Sequence, residues 1–182
     1  AFVKRGIATT IVELMPTVML LMDREFGVQA ANECAVHGAS VITGVAVTAV
    51  HADDHTVELS DGRRIAADLV LFSVGVRPEL TLAKSAGLEI GASGGLHVNA
   101  QLQTSDPDIY AAGDMVEVEH TVSGKRVRVP LAGPANRQGR IAASNALGVP
   151  MDYHGAAGTS VVKVFEATAA LTGLTEKGAR DA

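Results

Sequence analysis

A carboxylate that follows a glycine at the end of a short apolar run is placed to accept hydrogen bonds from a ligand's hydroxyls. Asp114 is such a residue, closing the stretch T-S-D-P-D-I-Y-A-A-G-D from Thr104 to Asp114. Asp106-Pro107-Asp108 is turn chemistry, because proline fixes its own φ and drives the preceding residue out of the helical region. Ile109-Tyr110-Ala111 then reads as a short buried strand. Ala112 and Gly113 remove side-chain bulk where that strand ends, so a ligand can approach the backbone. In open α/β sheets, ligands bind at the carboxyl ends of strands. An ordinary solvated aspartate between strand and loop is the other reading of Asp114, and its neighbours favour a sugar or sugar-alcohol hydroxyl.

A second informative stretch runs P-L-A-G-P-A-N-R-Q-G-R from Pro130 to Arg140. A small-residue loop enters a helix there, with Pro134 suited to the first turn and Gly148 to the end. Small residues at a helix N-terminus leave backbone N–H groups able to face a ligand. Ahead of it, Lys125 to Val129 alternates Arg126 and Arg128 with valines and reads as one strand of a small hairpin. Its basic face is either a solvated strand surface or a patch receiving the phosphates of a nucleotide substrate such as coenzyme A.

The elements that must position these groups follow from periodicity. Ala1 to Gly6 reads as the last turn of a helix. Ile7 to Leu14 is β-branched and nearly uncharged, a buried parallel strand with Glu13 at its carboxyl end. Met22 to Gly38 has helical spacing, with Asp23 as N-cap. Ser40 to Ala52, Thr56 to Leu59 and Arg63 to Ala67 alternate apolar and polar residues around an Asp61-Gly62 turn, predicting an antiparallel meander. Asp68 to Val74 is an apolar run expected to be a buried strand, ending in Gly75. Leu80 to Gly87 reads as a short helix and Leu96 to Val98 as a short strand. Met115 to His120 is expected only to lead away from the site. Gly158 to Phe165 and Ala167 to Leu171 read as two strands, with Thr175 capping a last helix.

The chain has 182 residues, 47% hydrophobic and 19% charged, with a formal net charge of −5. That describes a globular protein with a core, and its acidity argues against nucleic acid or an anionic membrane as partner. The single cysteine, Cys34, excludes an intramolecular disulfide and reads as a small buried helix residue. It points to a cytoplasmic location. Six histidines show no ligand spacing, so no metal site is expected. No apolar run approaches the roughly 18 residues of a membrane span. The first residues look like a helix already in progress, so the chain is expected to be a piece of a longer protein.

Thr104, Ile109, Tyr110, Ala111, Gly113 and Asp114 resemble the second flavin motif of the pyridine nucleotide-disulfide oxidoreductases. The run from Leu131 to Arg140 is similar to the coenzyme A-disulfide reductase and NADH oxidase/peroxidase branch. The resemblance implies an α/β fold: the later parts of two dinucleotide-binding domains, parallel sheet plus antiparallel meander, and the start of an α+β interface domain. It divides the chain into 1–76 (NAD domain), 77–149 (FAD domain) and 150–182 (dimerisation domain). It implies that Asp114 bonds a ribityl hydroxyl of FAD beside Gly113. Leu131 and Ala132 would offer backbone contacts to the flavin ring, whose anionic reduced form the helix dipole would stabilise. Glu13 would bond the adenosine ribose of NAD(P)H, and the absence of Arg or Lys between Glu13 and Asp23 favours NADH. Gly75, in V-G-V-R-P, would mark the junction between the two domains. Asn136 lies where a polar side chain faces substrate, a helix-surface amide being the rival reading.

The implied activity is hydride transfer from NAD(P)H through FAD to a disulfide such as coenzyme A disulfide, in a homodimer. NADH oxidase or peroxidase activity on oxygen species is the alternative, ferredoxin- or nitrite-reductase-type flavoproteins are a further rival, and an inactive fragment lacking flavin is a reading of another class. The G-x-G-x-x-G fingerprint and the redox cysteine of the family are absent from this chain.

Overall fold

The computed structural model describes residues 1–181. They form two compact units: residues 1–74 with 161–170, and residues 75–160 with 171–181.

The first unit opens on a single 3₁₀ turn, Val3–Arg5, closed by Gly6 in the left-handed region. β1 (Thr10–Glu13) pairs in parallel with β2 (Ser40–Thr43) through α1 (Arg24–Val36). Parallel neighbours need such a crossover, and α1 supplies it. β1 is shorter than the expected Ile7 to Leu14 and only half-buried, because its sheet has two strands. The meander is as expected: β3 (Val47–His51), β4 (Thr56–Leu59) and β5 (Arg64–Ala66) are antiparallel in that order. β4 turns Val57 and Leu59 inward, a period-2 burial pattern.

The run from Asp68 to Val74 is not a buried strand. It has no ladder partner, and Leu69, Leu71, Phe72 and Val74 are all exposed. Apolar sequence sets only a preference for burial. A strand also needs a neighbouring backbone, and no described segment runs alongside this one.

The second unit holds both well-buried clusters. α2 (Thr81–Ser85) packs Leu80 and Ala83 against Leu96. β6 (Leu96–His97) is parallel to β7 (Val116–Glu119), which is antiparallel to β8 (Arg126–Arg128). β7 is therefore the central strand of its sheet, although the sequence reading treated its residues as an exit from the site. Val116 and Val118 join Val98, Leu102, Ala142 and Tyr153 in the main core. α3 (Ala132–Ala146) covers that core through Ala142. Two further strands, β9 (Ser160–Val164) and β10 (Ala167–Leu171), form a two-stranded sheet, and α4 (Glu176–Arg180) begins at Thr175, whose hydroxyl caps the Gly178 N–H at 3.0 Å. Apart from Ser160 and Leu171, that sheet belongs to the first unit, where Phe165 stacks on His37 with centroids 4.2 Å apart and Glu166 N–H donates to Glu33.

Candidate functional site

The turn before Asp114 is built by its own side chains. Thr104 Oγ1 accepts from Asp106 N–H at 3.2 Å, and Asp106 Oδ1 accepts from Asp108 N–H at 2.9 Å. These local bonds replace a ladder, as Thr and Asp do in turns. Ile109-Tyr110-Ala111 consequently forms no strand. A single bridge joins Tyr110 to Gln103, and Ala111 N–H donates to Leu102 O at 3.0 Å. Asp114 thus precedes β7 instead of following a strand, which corrects the expectation that it stands at a strand's carboxyl end.

What holds the turn is Gln138 of α3, a residue the sequence reading passed over. Its side chain is 1% exposed, and its Oε1 accepts the Gly113 N–H at 2.7 Å. The same amide's Nε2 is buried without a hydrogen-bond partner among the described residues. Gly113 has φ +90°, and a Cβ there would lie 3.9 Å from the Ala135 methyl. The turn is therefore seated against the early turns of α3. Asp114 itself is exposed and has no hydrogen-bond partner among the described residues.

At the start of α3, Leu131 occupies the N-cap with extended backbone and no side-chain cap. No acidic residue lies in the first turn. Ala132 and Gly133 are exposed, and space beside Gly133 is open. Pro134 brings no N–H. The positive end of a 15-residue helix is left without a neutralising side chain. Asn136, one turn in, is exposed. The structure thus gathers Gly113, Asp114 and the first turns of α3 in one place.

β7 carries a second residue that sequence reasoning missed. Glu117 is 2% exposed and is met by Ser93 N–H at 3.1 Å, Ser93 Oγ–H at 2.7 Å, His97 Nδ1 at 3.3 Å and Arg126 Nε at 3.6 Å. Burial pushes its carboxyl up, but the Ser93 hydrogen bonds, with His97 and Arg126, outweigh it and hold the pKa below the usual 4.5. Arg126 also donates to Val98 O and Glu117 O, at 2.5 and 2.7 Å. Of the basic face expected on β8, Arg126 is therefore committed to the sheet, which leaves Arg128. The alternation V-E-V-E from Val116 to Glu119 was the signal that could have located β7.

Glu13 belongs to the first unit and Gly75 to the second. Glu13 ends β1 in the first unit, half-buried, with Oε1 accepting Met15 N–H at 2.8 Å. Gly75 opens the second unit with φ +87° and is exposed. On α1, burial and Glu33 push the Cys34 thiol up, which disfavours a nucleophilic thiolate. Among the described residues no group of His, Cys, Asp and Glu could hold a metal ion, and no helix is long and apolar enough to cross a membrane.

A sequence model of the family described as pyridine nucleotide-disulphide oxidoreductase matches residues 1–139. The CoA-dependent NAD(P)H sulfur oxidoreductase of Pyrococcus furiosus is 41% identical, over 66% of this chain and 27% of its own length. An NADH oxidase of Enterococcus faecalis is 30% identical, over 99% of this chain and 41% of its own. Among solved structures, reduced CoADR-RHD of Bacillus anthracis superposes with a TM-score of 0.91 at 41% identity, covering 98% of this chain and 32% of that one. The chain thus spans about a quarter to two fifths of the length of these relatives.

Proposed function

The chain belongs to the pyridine nucleotide-disulphide oxidoreductase family, and from that premise we propose that it is part of an FAD-dependent enzyme passing hydride from NAD(P)H through flavin to a disulfide or persulfide of coenzyme A. FAD and NAD(P)H are the cofactors that membership implies. The sulfur-directed, CoA-dependent name of the Pyrococcus relative supports the substrate class. Bound FAD would supply two-electron chemistry, taking hydride on one side and reducing the acceptor on the other.

The observation that carries this reading is the seating of an unpaired Asp114 against α3 by the Gln138–Gly113 hydrogen bond. An exposed carboxylate, a glycine with no Cβ, and an uncapped positive helix end make an arrangement suited to a hydroxylated, electron-accepting ring system. The buried Gln138 Nε2 beside the turn is an unmet donor, costing about 1–3 kcal/mol until a polar group satisfies it. Asp114 would accept hydrogen bonds from ribityl hydroxyls. Leu131 and Ala132 would present backbone groups to the ring, and the α3 dipole would favour negative charge there. Glu13 would accept from the ribose hydroxyls of NADH, Gly75 would leave the backbone open at the domain junction, and Asn136 would face the substrate.

Residues 1–76, 77–149 and 150–182 are read as parts of the NAD, FAD and interface domains. The division of the compact units between Val74 and Gly75 supports the first of these boundaries. Cytoplasmic location and a homodimer complete the proposal. A second reading, NADH oxidase or peroxidase, is favoured by relatives named NADH oxidase that match 94% and 99% of the chain.

Flavin binding tests the proposal. FAD added to the purified chain, or to the longer protein containing it, is expected to lose fluorescence on binding. Asp114→Ala should weaken binding by about tenfold or more, as loss of a hydrogen bond to a charged acceptor does. A protein that stays colourless and leaves FAD fluorescence untouched would support the inert fragment instead.

A further inference from the structure

A groove of about 410 Å³ opens in the second unit, bounded by Arg77-Pro78-Glu79-Leu80, the start of α2, Gly94 and β8. Three cations line it, Arg77, Lys84 and Arg128, in a chain of net charge −5. None has a carboxylate within ion-pair distance among the described residues, whereas four of the eight other arginines, Arg63, Arg64, Arg126 and Arg180, are paired. Glu79 also lines the groove, but its Oε1 is engaged by Thr81 N–H at 2.7 Å. Three positive charges therefore share the groove with one carboxylate, which is held at its rim by Thr81 N–H.

Arg128 is preorganised. Its Nε donates to Ser93 O at 3.0 Å, and Ser93 is itself anchored through N–H and Oγ to the buried Glu117. Its aliphatic stem lies against Gly95. This fixes the guanidinium while leaving its two outer nitrogens unpaired among the described residues, the fork that matches a phosphate edge. Lys84 adds a movable point charge, Thr81 a hydroxyl, and Pro78 with Leu80 an apolar floor.

We propose that this groove is a binding site for a phosphate or pyrophosphate group carried by a small molecule, with Arg128 as the fixed ligand and Arg77 and Lys84 closing on it. The site is independent of the flavin reading, since it uses neither Asp114 nor α3. Amide NMR of the full chain, titrated with inorganic pyrophosphate at low ionic strength, tests it. Saturable shifts are expected at Thr81, Lys84 and Gly94, weakening as salt is raised. Lys84→Ala and Arg77→Ala, exposed positions without bonded partners, should each weaken binding about fivefold. Glu79→Gln should tighten it by about twofold. ADP in place of pyrophosphate separates the sources: tighter binding of ADP identifies a nucleotide, and equal or weaker binding identifies a non-nucleotide phosphate. Absence of saturable shifts at several millimolar pyrophosphate, shifts centred elsewhere, or unchanged affinity in both alanine variants would overturn the proposal.

Discussion

Asp114 owes its setting to Gln138, 24 residues further along the chain. The Gln138 side chain reads as an unremarked polar residue until the structure shows it buried and bonded to Gly113 N–H. Gln138→Met keeps the volume and removes the acceptor. The Gly113 amide should then exchange with solvent faster, because its part-buried N–H loses its acceptor. Unaltered exchange at Gly113 would show that the turn holds itself. Glu117 makes a second prediction at this scale. Its folded pKa lies below its unfolded value, so its stabilisation is complete above about pH 4.5 and is lost as pH falls through the lower folded value. Thermal melts from pH 7 down to pH 3.5 should show the native chain losing stability on the acid side. Glu117→Gln should be less stable at neutral pH by about 2 kcal/mol, with a flatter acid limb. Parallel acid limbs in the two proteins would remove Glu117 from that account.

Among the elements, β7 matters most, because it joins β6, β8 and the main core. Its carboxyl end also meets the 153–157 segment: Ala156 N–H donates to Glu119 O at 3.0 Å, and His120 bridges Ala156 in parallel. Gly155 permits that approach. It has φ +82°, and a Cβ there would fall 2.3 Å from Glu119 O, a backbone atom that cannot swing aside. Gly155→Ala is therefore expected to destabilise by about 3 kcal/mol or more, combining left-handed strain with a backbone clash. Chemical denaturation of the variant checks it. A midpoint within a few tenths of a molar of the parent would mean the segment can lift off β7 at little cost.

For the whole molecule, the outstanding feature is uncovered apolar surface. Val74 is 89% exposed, Val161 72%, Leu71 70% and Phe72 66%. Isolated exposed hydrophobics are ordinary, but a consecutive exposed run such as Leu69 to Val74 marks a surface that associates. The purified chain should elute from size-exclusion chromatography at micromolar concentration as a dimer or larger species. The double change Leu71→Glu with Phe72→Glu should shift it toward monomer. A clean monomer peak for the unaltered chain would argue that the run finds cover within a single chain.

Much of the architecture was written in local pattern. The 3.6-residue spacing of α1, the Pro134 and Gly148 end signals of α3, the period-2 alternation of the meander and the Asp61-Gly62 turn are short-range signals, and each became the expected element. The motif Thr104 to Asp114 likewise carried the family identity without any structure, because its residue types are dictated by local turn chemistry. Pairing and burial could not be read in the same way. Whether Ile109-Tyr110-Ala111 or Leu69 to Val74 becomes a strand depends on a second backbone lying within hydrogen-bond reach, and no residue within either run specifies one. Nor does the sequence mark which polar side chains turn inward. Gln138, Glu117 and Arg126 acquired their roles only when distant segments met, since a charged or amide group is tolerated inside only where partners 20 or more residues away, or across a strand pair, satisfy it.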